Sequence, residues 1–204
     1  MCKVIAIYRK EINVFLSSLI GYIAITIFLL ANGLFNWVFT DTSILDGGFA
    51  VLDPFFNFAP WIFMLLIPAI TMRSFAEERS TGTIEFLTTR PVTDLQIVLG
   101  KYLAAVTLVV FSILPTVLYY FTISELASPK GNVDTGGIIG SYIGLCLLGA
   151  AFVAISIFTS SISHNQILAF IGGLFACFFF YYAFDAMALL PFSIGGADAF
   201  FYAL

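Results

Sequence analysis

The chain has 204 residues, of which 61% are hydrophobic and 10% charged, whereas ordinary soluble domains carry about 25% charged residues. Water is therefore not its main solvent, and the composition points to an all-α, polytopic membrane helix bundle. A formal net charge of −4 gives no basic footprint of the kind that phosphate backbones select, which excludes nucleic acid as an expected partner.

Residues 1–14 interleave Val4, Ile5, Ile7, Tyr8 and Ile12 with Lys3, Arg9, Lys10 and Glu11. Apolar residues at helical spacing beside a basic face predict an interfacial helix on the inner leaflet. The apolar run over residues 15–39 is too long for a signal-peptide core, and no small-residue cleavage site follows it. It is expected to be the first transmembrane helix, starting inside, with Trp37 in the aromatic belt at its far end. Residues 40–53 hold Asp41, Asp46 and Asp53 and no base, which marks an outside loop. The second span, over residues 55–72, contains Pro60 and Pro68, which bend or interrupt a helix and are tolerated in membranes when neighbours satisfy the freed backbone groups.

Residues 73–101, RSFAEERSTGTIEFLTTRPVTDLQIVLGK, form the one long polar passage between two strongly apolar ones. Four of the eight basic residues fall here, Arg73, Arg79, Arg90 and Lys101, together with four of the twelve acids, Glu77, Glu78, Glu85 and Asp94. The basic residues place the loop in the cytoplasm, and its mixed charge suits a protein partner better than a lipid patch. Gly82 can cap a helix with Glu85 three residues on and Ile84 and Leu87 on one face. Such a helix of about two turns is marginal alone and must dock on something; the competing reading is a solvated connector. Pro91 stops this segment, and Thr93 with Gln96 forms a capping box that opens the next helix.

The third span, residues 97–123, has Lys101 close enough to its inner end to snorkel to the headgroups, with Tyr119 and Tyr120 at the outer end. Residues 125–137 are a polar outside turn. Gly136, Gly140 and Gly144 then recur every four residues, with Ser141, Ala150, Ala151 and Ala154 beyond. Small residues at this spacing let helix backbones approach closely, within one subunit or across a dimer. Residues 159–166 are the second inside turn, where His164 reads as an interfacial hydrogen-bonding residue rather than a proton relay. The fifth span, residues 167–190, holds Ala169 and Gly173 at the same small-residue spacing. An outside turn at 191–196 leads to residues 197–204, a mostly apolar run whose eight residues are too few for a bilayer that needs about 20. The three cysteines, Cys2, Cys146 and Cys177, show neither a disulfide framework nor metal spacing and read as small apolar fillers.

Residues 72–101, with the Glu77-Glu78-Arg79 cluster, Gly82-Thr83-x-Glu85 and Pro91 before the next span, resemble the permease subunits of type-2 ABC exporters. Within that group LIGYIAITIFLLANGLFNWVF, APWIFMLLIPAITMRSF, IGSYIG and SHNQILAF together resemble the gliding-motility-associated ABC transporter permeases. The resemblance implies one transmembrane domain over residues 1–204 with a coupling loop at 73–101. It implies an ABC ATPase docking on the short helix near 82–89, with Glu77, Glu78, Arg79, Gly82, Thr83 and Glu85 at the docking surface. It also implies a second permease subunit, a bacterial inner membrane and a role in gliding. It further implies a sixth span, so the chain is expected to be truncated within it, after five complete spans.

The residues themselves agree with a passive permease. No carboxylate, Arg or His sits at mid-span, as ion-coupled transporters require, and no G-x-x-x-x-G-K-[ST] phosphate loop is present. No nucleophile and base are paired and no metal-ligand cluster appears. The chain is therefore expected to bind no cofactor, ATP being used by the separate ATPase. The alternative is a membrane anchoring or assembly subunit that moves no substrate. The charge bias makes a topological prediction: in intact cells on a background lacking the native cysteines, an impermeant thiol reagent labels Asp46→Cys and Asn132→Cys but not Arg79→Cys. Labelling at 79 and not at 46 would overturn the orientation.

Overall fold

A computed structural model describes residues 2–39, 44, 50–82 and 93–188, and every regular element among them is a helix. We number them α1 (Cys2–Ser17), α2 (Leu19–Trp37), α3 (Asp53–Thr71), α4 (Arg73–Ser80), α5 (Asp94–Ile113), α6 (Val117–Leu126), α7 (Thr135–Ile162) and α8 (Gln166–Ala188). Four stretches are long and apolar enough to cross a membrane: Asp53–Ser80, Asp94–Leu126, Thr135–Ile162 and Gln166–Ala183. The pair Lys3–Ser17 and Gly21–Trp37, bent by 68°, makes a fifth if the two are counted as one span. The expected start of a sixth span lies outside the described residues.

The boundary between the interfacial helix and the first span falls later than residue 14. The cause is Ser18, whose extended backbone breaks the helix while its hydroxyl donates to Phe15 O at 3.3 Å and accepts from Gly21 N–H at 3.4 Å. A short polar side chain that satisfies the orphan amides of a new first turn is a strong helix start. The capping box at Thr93 and Gln96 forms as the spacing predicts and starts α5 at Asp94.

The core is built on α3, which packs against α2, α5, α7 and α8. Phe55, Phe63 and Ile67 are fully buried on it, and Phe63 stacks on Phe28 of α2 with ring centroids 5.1 Å apart. The helix runs unbroken through Pro60 and Pro68. The gap between α3 and α4 is the single residue Met72, and it is closed from α7. Ser160 Oγ donates to Met72 O at 3.1 Å and accepts from the amides of Phe75 and Ala76 at 3.2 and 3.3 Å. A second break, the 3-10 turn Leu114–Thr116 around Pro115, is held by Tyr142, whose hydroxyl donates to Thr116 O at 2.9 Å. Outward-facing Leu118, Leu147, Phe158 and Phe179 are exposed, as lipid-facing residues must be.

Among the described residues, the glycine spacing on α7 does not join helices. Gly136, Gly140 and Gly144 lie on its exposed face, and a Cβ built on Gly140 or Gly144 meets nothing within 4 Å. The close approach comes one turn further on. A Cβ at Gly149 would sit 2.8 Å from Val109 Cγ1 on α5, and one at Gly173 of α8 would sit 3.1 Å from Pro68 Cβ and 3.2 Å from Thr159 Oγ1. We therefore expect Gly149→Leu to cost roughly 1–3 kcal/mol by overpacking, with reduced folded yield on size exclusion in detergent. Gly140→Leu should leave the yield of the single chain unchanged, and equal loss in both variants would show that α7 is rotated from its position here.

Candidate functional site: a buried ion cluster at the charged end

One end of the bundle gathers α1, α4, the start of α5 and the α7–α8 turn, and with them nearly all the described bases. Lys101, expected to snorkel, is instead 3% exposed. Its ammonium donates to Ser74 O at 2.6 Å, Glu78 Oε1 at 2.9 Å and Glu11 Oε1 at 3.1 Å, and lies 5.1 Å from the centre of the Phe75 ring. Three donors thus meet three acceptors, and the ring face adds a favourable contact for the cation. Lys10 Nζ approaches Glu11 and Glu78 at 3.4 Å each and closes a neutral group of two bases and two acids. Lys101 is withdrawn because α1 lies across the first turns of α5 and covers the route by which a lysine there would snorkel to the headgroups.

The segments reach this point by local rules. Val4, Ile7, Glu11 and Phe15 repeat at three- and four-residue steps, so Glu11 shares the face that α1 packs against the bundle. Seven residues into α5, Lys101 faces it, and α4, rigidly continued from α3, brings Ser74 and Glu78 from the third side. An acid in an apolar stripe needs a partner, and that was the signal in the sequence that could have found the cluster. Burial pulls the Lys10 pKa down, but Glu11 and Glu78 outweigh it and the value is raised. This pairing is therefore intact at neutral pH and is lost only as pH rises through that raised value.

The expected docking residues divide. Glu78 is turned inward to Lys101, its side chain 15% exposed. Arg79 donates to Ile162 O, the last carbonyl of α7, at 3.4 Å, a placement that also suits the negative end of that helix. Glu77 is part-exposed. Gly82 ends α4: its φ of 69° is the left-handed conformation in which glycine closes a helix, and its amide donates to Arg79 O at 3.2 Å. Thr83 and Glu85 lie outside the described residues, as does the expected helix at 82–89 beyond Gly82. His164 is exposed in the α7–α8 turn. Among the described residues no group of three or more His, Cys, Asp or Glu could hold a metal ion. Cys177 is buried, with Ser156 Oγ at 3.5 Å.

A helical bundle with four or five membrane-crossing stretches and, among the described residues, a buried ion cluster at one end defines a multi-pass membrane protein. Residues 5–194 match the family model described as ABC-2 family transporter protein, and the chain belongs to that family. It is thus an ABC transporter permease, a class of membrane subunit that works with an ABC ATPase. Comparison with curated proteins and with solved structures gives no match.

The cluster should behave as one unit. Lys101→Met leaves Glu11 and Glu78 facing each other without the shared ammonium, and losing one partner of a buried ion pair costs about 3–5 kcal/mol. Thermal unfolding in detergent should show a large drop for this variant. Most of it should return when Glu11→Gln and Glu78→Gln are added, because replacing the whole group by neutral side chains removes the stranded charges.

Proposed function

We propose that this permease receives mechanical work from an ATPase docked at residues 82–89 and passes it to the spans through the Lys101 cluster. The observation that carries the reading is the position of that cluster. Helices α4 and α5 flank the segment 83–92 and are tied to each other, and to α1, by the bonds from Lys101 to Ser74, Glu78 and Glu11. A push on the segment would therefore move α4 and α5 together, and α4 is held through Met72 and Ser160 to the core helices α3 and α7. Independent motion of the two flanks would break a buried ion pair, which costs several kcal/mol.

The finer assignments rest on the resemblance of the 72–101 passage and the apolar segments around it to the gliding-motility-associated permeases. Two such permeases form the dimeric pathway, in a bacterial inner membrane with the N-terminus and the charged end in the cytoplasm, and the transporter serves the gliding machinery. The excess of Lys and Arg at the charged end supports this orientation. The glycine face of α7, open among the described residues, is available to the second permease.

Glu85 tests the docking step. Reversal of an interface charge that loses its partner commonly costs about 2–5 kcal/mol, so Glu85→Lys should lower ATPase recovery on co-purification by more than about tenfold, with membrane expression unchanged. Wild-type recovery of the ATPase together with normal transport would remove Glu85 from the docking surface.

A further inference from the structure

Beside the ion cluster, between the α1–α2 bend and α4, lies a cavity of about 250 Å³, far more than the roughly 10–15 Å³ that one water needs. Its depth in the membrane follows from two helices. On one wall Arg73 follows α3, whose 19 residues rise about 28 Å, close to the ~30 Å of a hydrocarbon core. On the other wall Ser18 precedes α2, also 19 residues long and ending at Trp37. Both place the cavity at the headgroup level of one leaflet.

Its charges are balanced but not all matched. Lys10 and Lys101 are engaged with Glu11 and Glu78. That leaves Arg73 and Glu77, which line the cavity one helical turn apart on α4 and make no ion pair among the described residues. Opposite charges four apart on a helix are neighbours, and the order with the base first is the weaker one for direct pairing. An unengaged cation and an unengaged anion one turn apart, with Val14, Phe15 and Ile70 forming an apolar wall beside them, match a zwitterionic group attached to an acyl chain.

We propose that the cavity seats one phosphatidylethanolamine molecule of that leaflet. Arg73 takes the phosphate through charge-assisted, fork-shaped hydrogen bonding, Glu77 accepts from the ammonium, and an acyl chain runs along Phe15 and Ile70. An anionic headgroup would satisfy Arg73 but meet Glu77 with like charge. A choline headgroup carries the same net charge but has no N–H to donate. This site depends on the membrane depth of the cavity and not on ATPase docking.

Native mass spectrometry of the full-length chain in detergent tests the site, with dioleoyl phosphatidylethanolamine, phosphatidylglycerol and phosphatidylcholine added in turn. The ethanolamine lipid should be retained about tenfold more than either of the others, the lower end of one charge-assisted hydrogen bond. Arg73→Gln should lower retention of all three lipids, which share the phosphate, whereas Glu77→Gln should remove the ethanolamine preference. Arg79→Gln, at the same end but bonded to Ile162, should keep it. Equal retention of the three lipids, or a preference unchanged in Glu77→Gln, overturns the proposal. So does phosphatidylglycerol bound as tightly as the ethanolamine lipid with only Arg73→Gln having an effect, which would mark a plain phosphate site. No ATPase is present in this measurement, so a negative result leaves the coupling reading standing.

Discussion

A lysine withdrawn from water organises the charged end of this protein. Taking an ammonium and a carboxylate out of solvent costs several kcal/mol per ion even after relaxation, so the arrangement persists only if every donor is met. Lys101 meets that condition with acceptors from two other helices. The register of α1 against α5 is fixed as a result: a slide of one residue would turn Glu11 away and leave the buried ammonium short of an acceptor. Apolar packing supports the same register, because Ile7 lies so close to Gly100 that a Cβ there would come within 2.7 Å of Ile7 Cγ2.

The remainder of the bundle transmits that register. Helix α3 carries no charge between Asp53 and Arg73 and is packed on several sides by other helices, so it behaves as a stiff axis with α4 as its extension. The one-residue interruption at Met72 does not act as a hinge, since Ser160 satisfies the backbone on both sides of it. In a hydrocarbon setting an unmet amide is expensive, and the hydroxyl on α7 makes the straight joint the favoured state. Arg79 on the Ile162 carbonyl ties α4 to α7 a second time. Motion entering at the charged end is thereby shared among α1, α4, α5 and α7.

Much of this was legible in the residues. Span positions follow from long apolar runs, the start of α5 from the Thr93 and Gln96 spacing, and the crowding of bases at one end from a simple count. What could not be read depends on tertiary contact. Whether a lysine near a helix start reaches water depends on what lies over it, and nothing near Lys101 in the chain announces α1. The Ser18 break was hidden because residues 15–39 are apolar on both sides of it, and one serine can either cap a helix or sit within it. Glycines four apart indicate that α7 has a narrow face but not which way the face points; the contacts of Gly149 and Gly173 settle that within the chain. Gly82 is ambiguous for a related reason, since the same residue type ends helices and starts them, and only its positive φ decides.

The separation of Glu11 and Lys101 along the chain, 90 residues, has a consequence for biogenesis. When α1 leaves the ribosome its only acid lies on its apolar face and the partner has not been synthesised. The helix must wait at the water side until α5 is in place, because burying Glu11 earlier would leave a bare carboxylate in hydrocarbon. Docking of the first helix is thus a late event that reports on correct insertion of the third span. A chain whose third span entered in the wrong direction would carry Lys101 to the opposite face, leaving α1 undocked and open to quality-control proteases.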